Sequence, residues 1–380
     1  MKRFNQIFFT VVIVLILFSA VAYGITWTEN KRLTHNEGYS WSSAIAVDGP
    51  NIYVVWADNS QGNFKIFFKR SGDGGATWTK RKRLSSNSVG SEDPAIAVNG
   101  SNIYVVWHDN TPENYQIYFR KSVDGGATWK KEKRLTNNEG GSWSPAMAVD
   151  GSNIYVVWED HTPGYRDVYF RNSVDGGTTW TKKMRLSSNE GWALWPAIAV
   201  DGSNIYVVWE NHTPGNRDIY FKKSVDGGIT WTENKGLSNN EGYSWYAKMA
   251  VDGSNIYVVW SDDTKGNYEI YFRKSVDGGI TWTKKKRLTN NAGGSWCPSI
   301  AVDGSNIYVV WEDNTKGNYE IYFRKSVDGG ITWTKNKRLT NNEGVSGLPA
   351  IAVDGPNIYV VWEDYTPGNY EIYFKAGVLF

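Results

Sequence analysis

Sulfur is close to absent: Cys297 is the only cysteine in 380 residues. A disulfide framework needs pairs and a Cys-based zinc site needs several thiolates, so neither is expected to hold this fold. Net charge is equally scarce, with 41 Lys and Arg against 39 Asp and Glu leaving a formal +2. Such a balance gives no strong pull toward nucleic acid or an anionic membrane. Beyond residue 24 no apolar run is long enough to cross a bilayer, so that part is expected to be soluble and extracytoplasmic, without a membrane span.

What is abundant is aromatic: 20 Trp and 23 Tyr, together with 39 Gly, exclude disorder and collagen-like order. At the start, Lys2 and Arg3 precede an apolar run from Ile7 to Ala22, followed by small residues at Ala22 and Gly24. This is the pattern of a secretory signal. Residues 1–24 are expected to be the signal and 25–380 one mature domain, secreted or held at the cell surface. An uncleaved membrane anchor is the competing reading, and a lipid-anchored form is not expected because no cysteine lies near the cut.

The string Val-Val-Trp ends at Trp56, Trp107, Trp158, Trp209, Trp260, Trp311 and Trp362, each 51 residues after the last. Period and regularity signal a repeat architecture of seven copies. The third copy reads as four strands, Pro145 to Asp150, Asn153 to Asp160, Asp167 to Ser173 and Thr179 to Leu186. Asp150-Gly151 and Asp175-Gly176-Gly177 are tight-hairpin signals, while Thr162-Pro163-Gly164 and Asn189-Glu190-Gly191 mark longer loops. Both faces of Ile154-Tyr155-Val156-Val157-Trp158 are apolar, so that strand must be covered on both sides, as in a blade stacked between two neighbours.

The expected fold is therefore all-β: a seven-bladed β-propeller of four-stranded antiparallel blades. Ile25-Thr26-Trp27 matches a fourth strand, and the sequence stops just after the third strand of the last copy. The N-terminal strand is expected to complete blade seven and close the ring, which removes exposed edges.

Between the third and fourth strands lies Ser-x-Asp-Gly-Gly-x-Thr-Trp or a close variant, six times, with its acids at Asp73, Asp124, Asp175, Asp226, Asp277 and Asp328. Glycines supply positive φ, the carboxylate can accept backbone N–H bonds across the turn, and the Trp buries a large ring, so the role read from the residues is structural. The motif at this spacing resembles the Asp-box (BNR) repeat of sialidase-like propellers, over essentially the whole chain past residue 24. That resemblance implies a structural turn on the face away from an active site. For a sialidase it also implies three arginines on the substrate carboxylate, a Tyr nucleophile paired with a Glu, an Asp acid/base and an Arg-Ile-Pro near the start. No Arg-Ile-Pro occurs here, and seven copies exceed the six blades usual in sialidases. Arg120, Arg171, Arg273 and Arg324 share one frame and Arg134, Arg185, Arg287 and Arg338 another, which suits a repeated strand surface rather than a single clamp.

Variation concentrates on the opposite face. Aligned by period, one position holds Tyr39, Gly90, Gly141, Trp192, Tyr243, Gly294 and Val345; two further on stand Trp41, Glu92, Trp143, Leu194, Trp245, Trp296 and Gly347. The next position holds Ser42, Asp93, Ser144, Trp195, Tyr246, Cys297 and Leu348. Trp41, Trp143, Trp192, Trp195, Tyr243, Trp245, Tyr246 and Trp296 are accordingly candidate ligand-binding residues on loops, the alternative being that they cap the core. Glu159, His161 and His212 join them from the recurring Glu-Asp-His-Thr stretch. Oxygen ligands there offer a reading as a Ca²⁺ site, but turn chemistry accounts for them, and no metal or other cofactor is expected. Sequons stand at Asn99 and Asn211. The expected function is a non-catalytic, monomeric binding ring for glycans or cell-surface proteins. A sialidase-like glycoside hydrolase and a structural envelope component are the alternatives.

Overall fold

The computed structural model describes residues 24–380, excepting 87–89, 112–113, 163–164, 188–190, 240–241 and 367. The expected signal thus lies outside the described residues but for Gly24, as do Pro163, Gly164, Asn189 and Glu190 of the two expected loops. No helix among the described residues is long and apolar enough to cross a membrane.

Seven antiparallel sheets form, one per repeat. Their first strands are Ser40–Asp48, Ser91–Asn99, Ser142–Asp150, Trp192–Asp201, Ser244–Asp252, Ser295–Asp303 and Ser346–Asp354. Each packs on the next and the last packs on the first, so they circle an axis, and blades 1 to 7 are numbered in that order. Closure is as the sequence predicts. Ile25, Thr26 and Trp27 pair antiparallel with Leu379, Val378 and Gly377, and Lys31 and Arg32 pair with Phe374 and Tyr373.

The second strand of each blade carries Val-Val-Trp with no accessible surface, because both of its faces meet protein. Apolar packing is divided into slabs, each shared by two neighbouring blades. In one, Tyr104, Val106, Ile117 and Phe119 of blade 2 meet Met147, Ile154, Val156 and Trp158 of blade 3. Burying each such side chain contributes about 1.5–3 kcal/mol, so the ring is held by its interblade slabs.

Strand limits differ from expectation in one instructive place. In blade 3 the strands are Ser142–Asp150, Asn153–Thr162, Tyr165–Ser173 and only Met184–Arg185. The fourth is two residues long, not eight, because the Asp-box turns the chain inward first. Trp180 donates Nε1–H to Gly177 O at 3.2 Å and lays its edge on Phe119 of blade 2, 5.1 Å between ring centroids. Short outer strands also present little free edge for pairing with another chain.

The Asp-boxes behave as turns. Asp73 accepts Thr77 N–H at 2.8 Å, and Ser71 Oγ bridges Asp73 and Gly75 N–H at 2.7 and 2.9 Å. Hydrogen bonds from the Thr77 hydroxyl and amide and from Ser71 hold the Asp73 carboxyl down at about 2. Gly75, at φ 92°, is required twice over: a Cβ there would stand 2.4 Å from the Phe374 ring of blade 7. Arg171 and Arg273 of the recurring frame donate to Leu135 O and Leu237 O of the preceding blade, at 2.5 and 2.6 Å. They fasten blades together.

Candidate functional site

Hairpin alternation places the Asp-box turns at one end of the ring and the connections between second and third strands at the other, together with the starts of the first strands. The candidate aromatics are at that second end, but most are not on loops. Trp41, Trp143, Trp192, Trp195, Trp245, Tyr246 and Trp296 lie within the opening residues of first strands, and Tyr243 immediately precedes one. Glu159 and His161 belong to the second strand Asn153–Thr162, and His212 to Asn204–Thr213.

The reason is a bulge. Pairing of the first strand with the second breaks after residues such as Trp245 and resumes at Lys248. Ser42, Asp93, Ser144, Trp195, Tyr246, Cys297 and Leu348 occupy these breaks at φ between 44° and 54°. Left-handed backbone is costly for residues as large as Trp195 and Tyr246, so something must hold it. In four blades a glutamate from the preceding blade does so. Tyr246 N–H donates to Glu210 at 2.5 Å, Leu348 N–H to Glu312 at 2.8 Å and Ser42 N–H to Glu363 at 3.3 Å, while Trp195 N–H donates to Glu159. Burial pushes these carboxyls up, to about 7 for Glu159, about 8 for Glu210 and about 7 for Glu363, with Glu312 also raised. Burial thus favours the protonated form of each of these carboxyls.

The same position holds Ala57 in blade 1, His108 in blade 2 and Ser261 in blade 5. Trp41 stacks on Phe64 at 4.5 Å beside the first gap. His108 Nδ1 sits 3.7 Å from Asp93, and burial nonetheless depresses its basicity. Beside Ser261 a pocket of about 230 Å³ remains, walled by Trp245, Tyr246, Tyr268 and Trp296. A second, more open hollow on the same blade lies between Tyr243 and Asp263.

A further ladder escaped the sequence reading. Phe64, Tyr115, Arg166, Arg217, Tyr268, Tyr319 and Tyr370 stand at the head of each third strand and interleave with the first-strand aromatics. Tyr268 meets Trp296 edge-on at 5.0 Å, Tyr115 meets Trp143 at 5.5 Å, and Tyr39 meets Tyr370 at 6.3 Å. The Arg166 guanidinium lies 5.4 Å from both Trp143 and Trp192, and Arg217 lies 3.6 Å from Trp245. Alignment by 51 would have found this set, since the column is aromatic or Arg in every copy. Trp192 and Tyr243 are the most open of the candidate aromatics, 46% and 39% exposed. The other six candidate aromatics are half-buried.

His161 is exposed near Trp143 and His212 packs edge-on against Trp192 at 5.7 Å, so each belongs to the aromatic wall. The acids beside them are bound inside the protein: Asp160 accepts Asn138 Nδ2–H and pairs with Lys183 at 3.2 Å. Among the described residues no three His, Cys, Asp or Glu side chains gather as a metal site. Asn211 is buried within its strand, which leaves only Asn99 of the two sequons open to modification.

The family model for a BNR repeat-like domain matches residues 13–258. The chain belongs to that BNR-repeat family. Among curated proteins, this BNR-repeat chain is 25% identical over 315 residues to a sialidase of Bacteroides fragilis, covering 69% of the chain and 57% of that protein. It is 26% identical over 246 residues to a xyloglucanase of Acetivibrio thermocellus, covering 56% of the chain but 28% of the relative. The chain therefore spans about half or less of the curated relatives it matches. Two structures show the same fold. Polysaccharide lyase Uly1 superposes with a TM-score of 0.61 at 10% identity, over 93% of this chain and 91% of that one. Hadza microbial sialidase Hz136 gives 0.53 at 16% identity, over 86% and 76%.

Proposed function

We propose that this BNR-repeat propeller is a carbohydrate-binding protein of the cell exterior, acting as a single ring that seats pyranose rings on the aromatic rim of its axial mouth. The observation that carries the reading is the pocket of Trp245, Tyr246, Tyr268 and Trp296, where four aromatic side chains from two blades converge beside a polar Ser261. Sugar rings offer an apolar face to such walls and hydroxyls to polar groups at their edge. The relatives named as sialidase, xyloglucanase and polysaccharide lyase support carbohydrate as the ligand class. Calorimetric titration of the purified protein with a panel of oligosaccharides tests it. Binding is expected, lost in Trp296→Ala and kept in Ile280→Arg, which alters an exposed side chain on the Asp-box turn of blade 5. Absence of binding across the panel by folded protein overturns the reading.

A glycoside hydrolase is the second reading, favoured by half-buried Glu363 and its neighbour Glu312 at the mouth. A carboxyl poised at about 7 has the proton affinity a general acid needs. Turnover of a fluorogenic sialoside or aryl glycoside, abolished by Glu363→Gln, would establish it in place of the non-catalytic reading.

A further inference from the structure

The repeat itself describes what the blade 5 pocket lacks. In blades 3, 4, 6 and 7 residues Glu159, Glu210, Glu312 and Glu363 cap the bulge amide of the following blade. In blade 5 the residue is Ser261, and the bulge amide it should cap is that of Cys297 in blade 6. The Cys297 thiol is hydrogen-bonded to Glu312 of its own blade, and among the described residues no glutamate of blade 5 reaches Cys297 N–H, because Ser261 stands there. Two polar atoms beside the gap, Ser261 Oγ and Trp296 Nε1, are also buried without a hydrogen-bond partner. An unfilled acceptor site beside two unpartnered polar atoms is costly unless a ligand completes it.

The missing group is a CH₂–CO unit that ends in a hydrogen-bond acceptor and lies among aromatic rings. An acetamido group has the same size and supplies the same carbonyl, with a methyl for the aromatic walls and an N–H for Ser261 Oγ. We infer that the Ser261 pocket is an acetamido-recognising subsite, taking the N-acetyl group of an N-acetylhexosamine where other blades place their own glutamate. The inference rests on the carbohydrate-binding reading and names its ligand class.

Charge decides between an acetamide and a carboxylate. Where glutamate fills the equivalent slot, burial raises its proton affinity even though Arg217 and Lys248 lie near Glu210. Burial likewise raises the Cys297 thiol, more than Lys248 lowers it. These surroundings disfavour an anion, so a neutral carbonyl fits and a uronate does not.

The test titrates the purified full chain with N-acetylglucosamine and N-acetylgalactosamine oligomers, with the parent hexose oligomers, and with hexuronate oligomers, following tryptophan fluorescence and heat. N-acetylated sugars should bind at least about tenfold more tightly than the parent hexoses, the worth of one buried hydrogen bond. Ser261→Glu restores the repeat and should fold with unchanged or higher Tm while losing that preference. Equal affinity for hexose and N-acetylhexosamine, tighter binding of the uronate, or an undiminished preference in Ser261→Glu would each overturn the inference while leaving carbohydrate binding standing. If no sugar of any class binds, the underlying reading fails with it.

Discussion

At the Asp-box end, six turns do the same work with the same atoms: Asp73 holds Thr77 N–H at 2.8 Å, and Asp328 holds Thr332 N–H at 2.8 Å five repeats later in the chain. At the axial mouth the corresponding task, holding a bulged backbone, is done by glutamate in four blades, while the same position holds Ala57, His108 and Ser261 in the rest. One end is uniform because a hairpin turn has one good solution and nothing else to satisfy. The other tolerates substitution because the bulge keeps its positive φ at Asp93, Ser144 and Cys297 as well, and where the glutamate is replaced by Ser261 a pocket appears. Regularity thus marks scaffold, and departure from it marks the place where a ligand can enter.

The comparison breaks most severely in what the two ends share. Trp209 has no accessible surface between its neighbouring blades, so Trp209→Ala is expected to cost about 3–5 kcal/mol in denaturant unfolding and to impair both ends together. Gly177→Ala acts at the Asp-box end: its φ is 83° and a Cβ would meet Phe119 at 2.6 Å, so about 1–3 kcal/mol should be lost, with sugar binding retained. Glu210→Ala acts at the mouth, freeing the Tyr246 amide and Tyr246 itself. It should lower stability by about 1–3 kcal/mol and weaken binding in titration, whereas Glu210→Gln should preserve both.

Acidity sharpens the contrast, since the two ends shift their carboxyls in opposite directions. Glu210 is raised from an ordinary carboxylate value to about 8, so the folded protein holds a proton that the unfolded chain releases. Its stabilising contribution is complete below about pH 4 and declines as pH rises to about 8. Thermal melts across pH 5 to 9 should show that decline for the wild type and a flatter profile for Glu210→Gln. Asp73, held down at about 2, behaves oppositely: its contribution is present above the ordinary carboxylate value and disappears as pH falls through 2. It is fully exposed, and Asp73→Asn is expected to give the smallest change in Tm of this series, measurable only against the wild type at neutral pH.

The ring was legible in the sequence because period and turn chemistry agree: Val-Val-Trp at 51-residue spacing, hairpin signals between strands and a fourth strand at Ile25–Trp27 to complete the last blade. The position of the aromatic face followed from strand alternation. What stayed hidden was three-dimensional. Trp195, Tyr246 and Leu348 are poor residues for positive φ by any local measure, and a carboxyl on the preceding blade holds the amide of each. Local propensity carries no trace of such a partner. For the same reason Trp143 and Trp296 were expected on loops rather than in strands, and Arg166, Arg217 and Tyr268 were passed over although their column alternates with the tryptophans around the mouth. The fourth strands shortened because the Asp-box Trp folds inward, a packing preference that alternation alone does not reveal.

Hydrogen–deuterium exchange with and without a bound oligosaccharide tests most directly whether the irregular end is the working end. Ligand should slow exchange at Trp245–Lys248 and Ser295–Cys297, the bulged first strands of blades 5 and 6, and leave the Asp-box turns around Asp226, Asp277 and Asp328 unchanged. Protection appearing at those turns instead, with the mouth unaltered, would contradict the account.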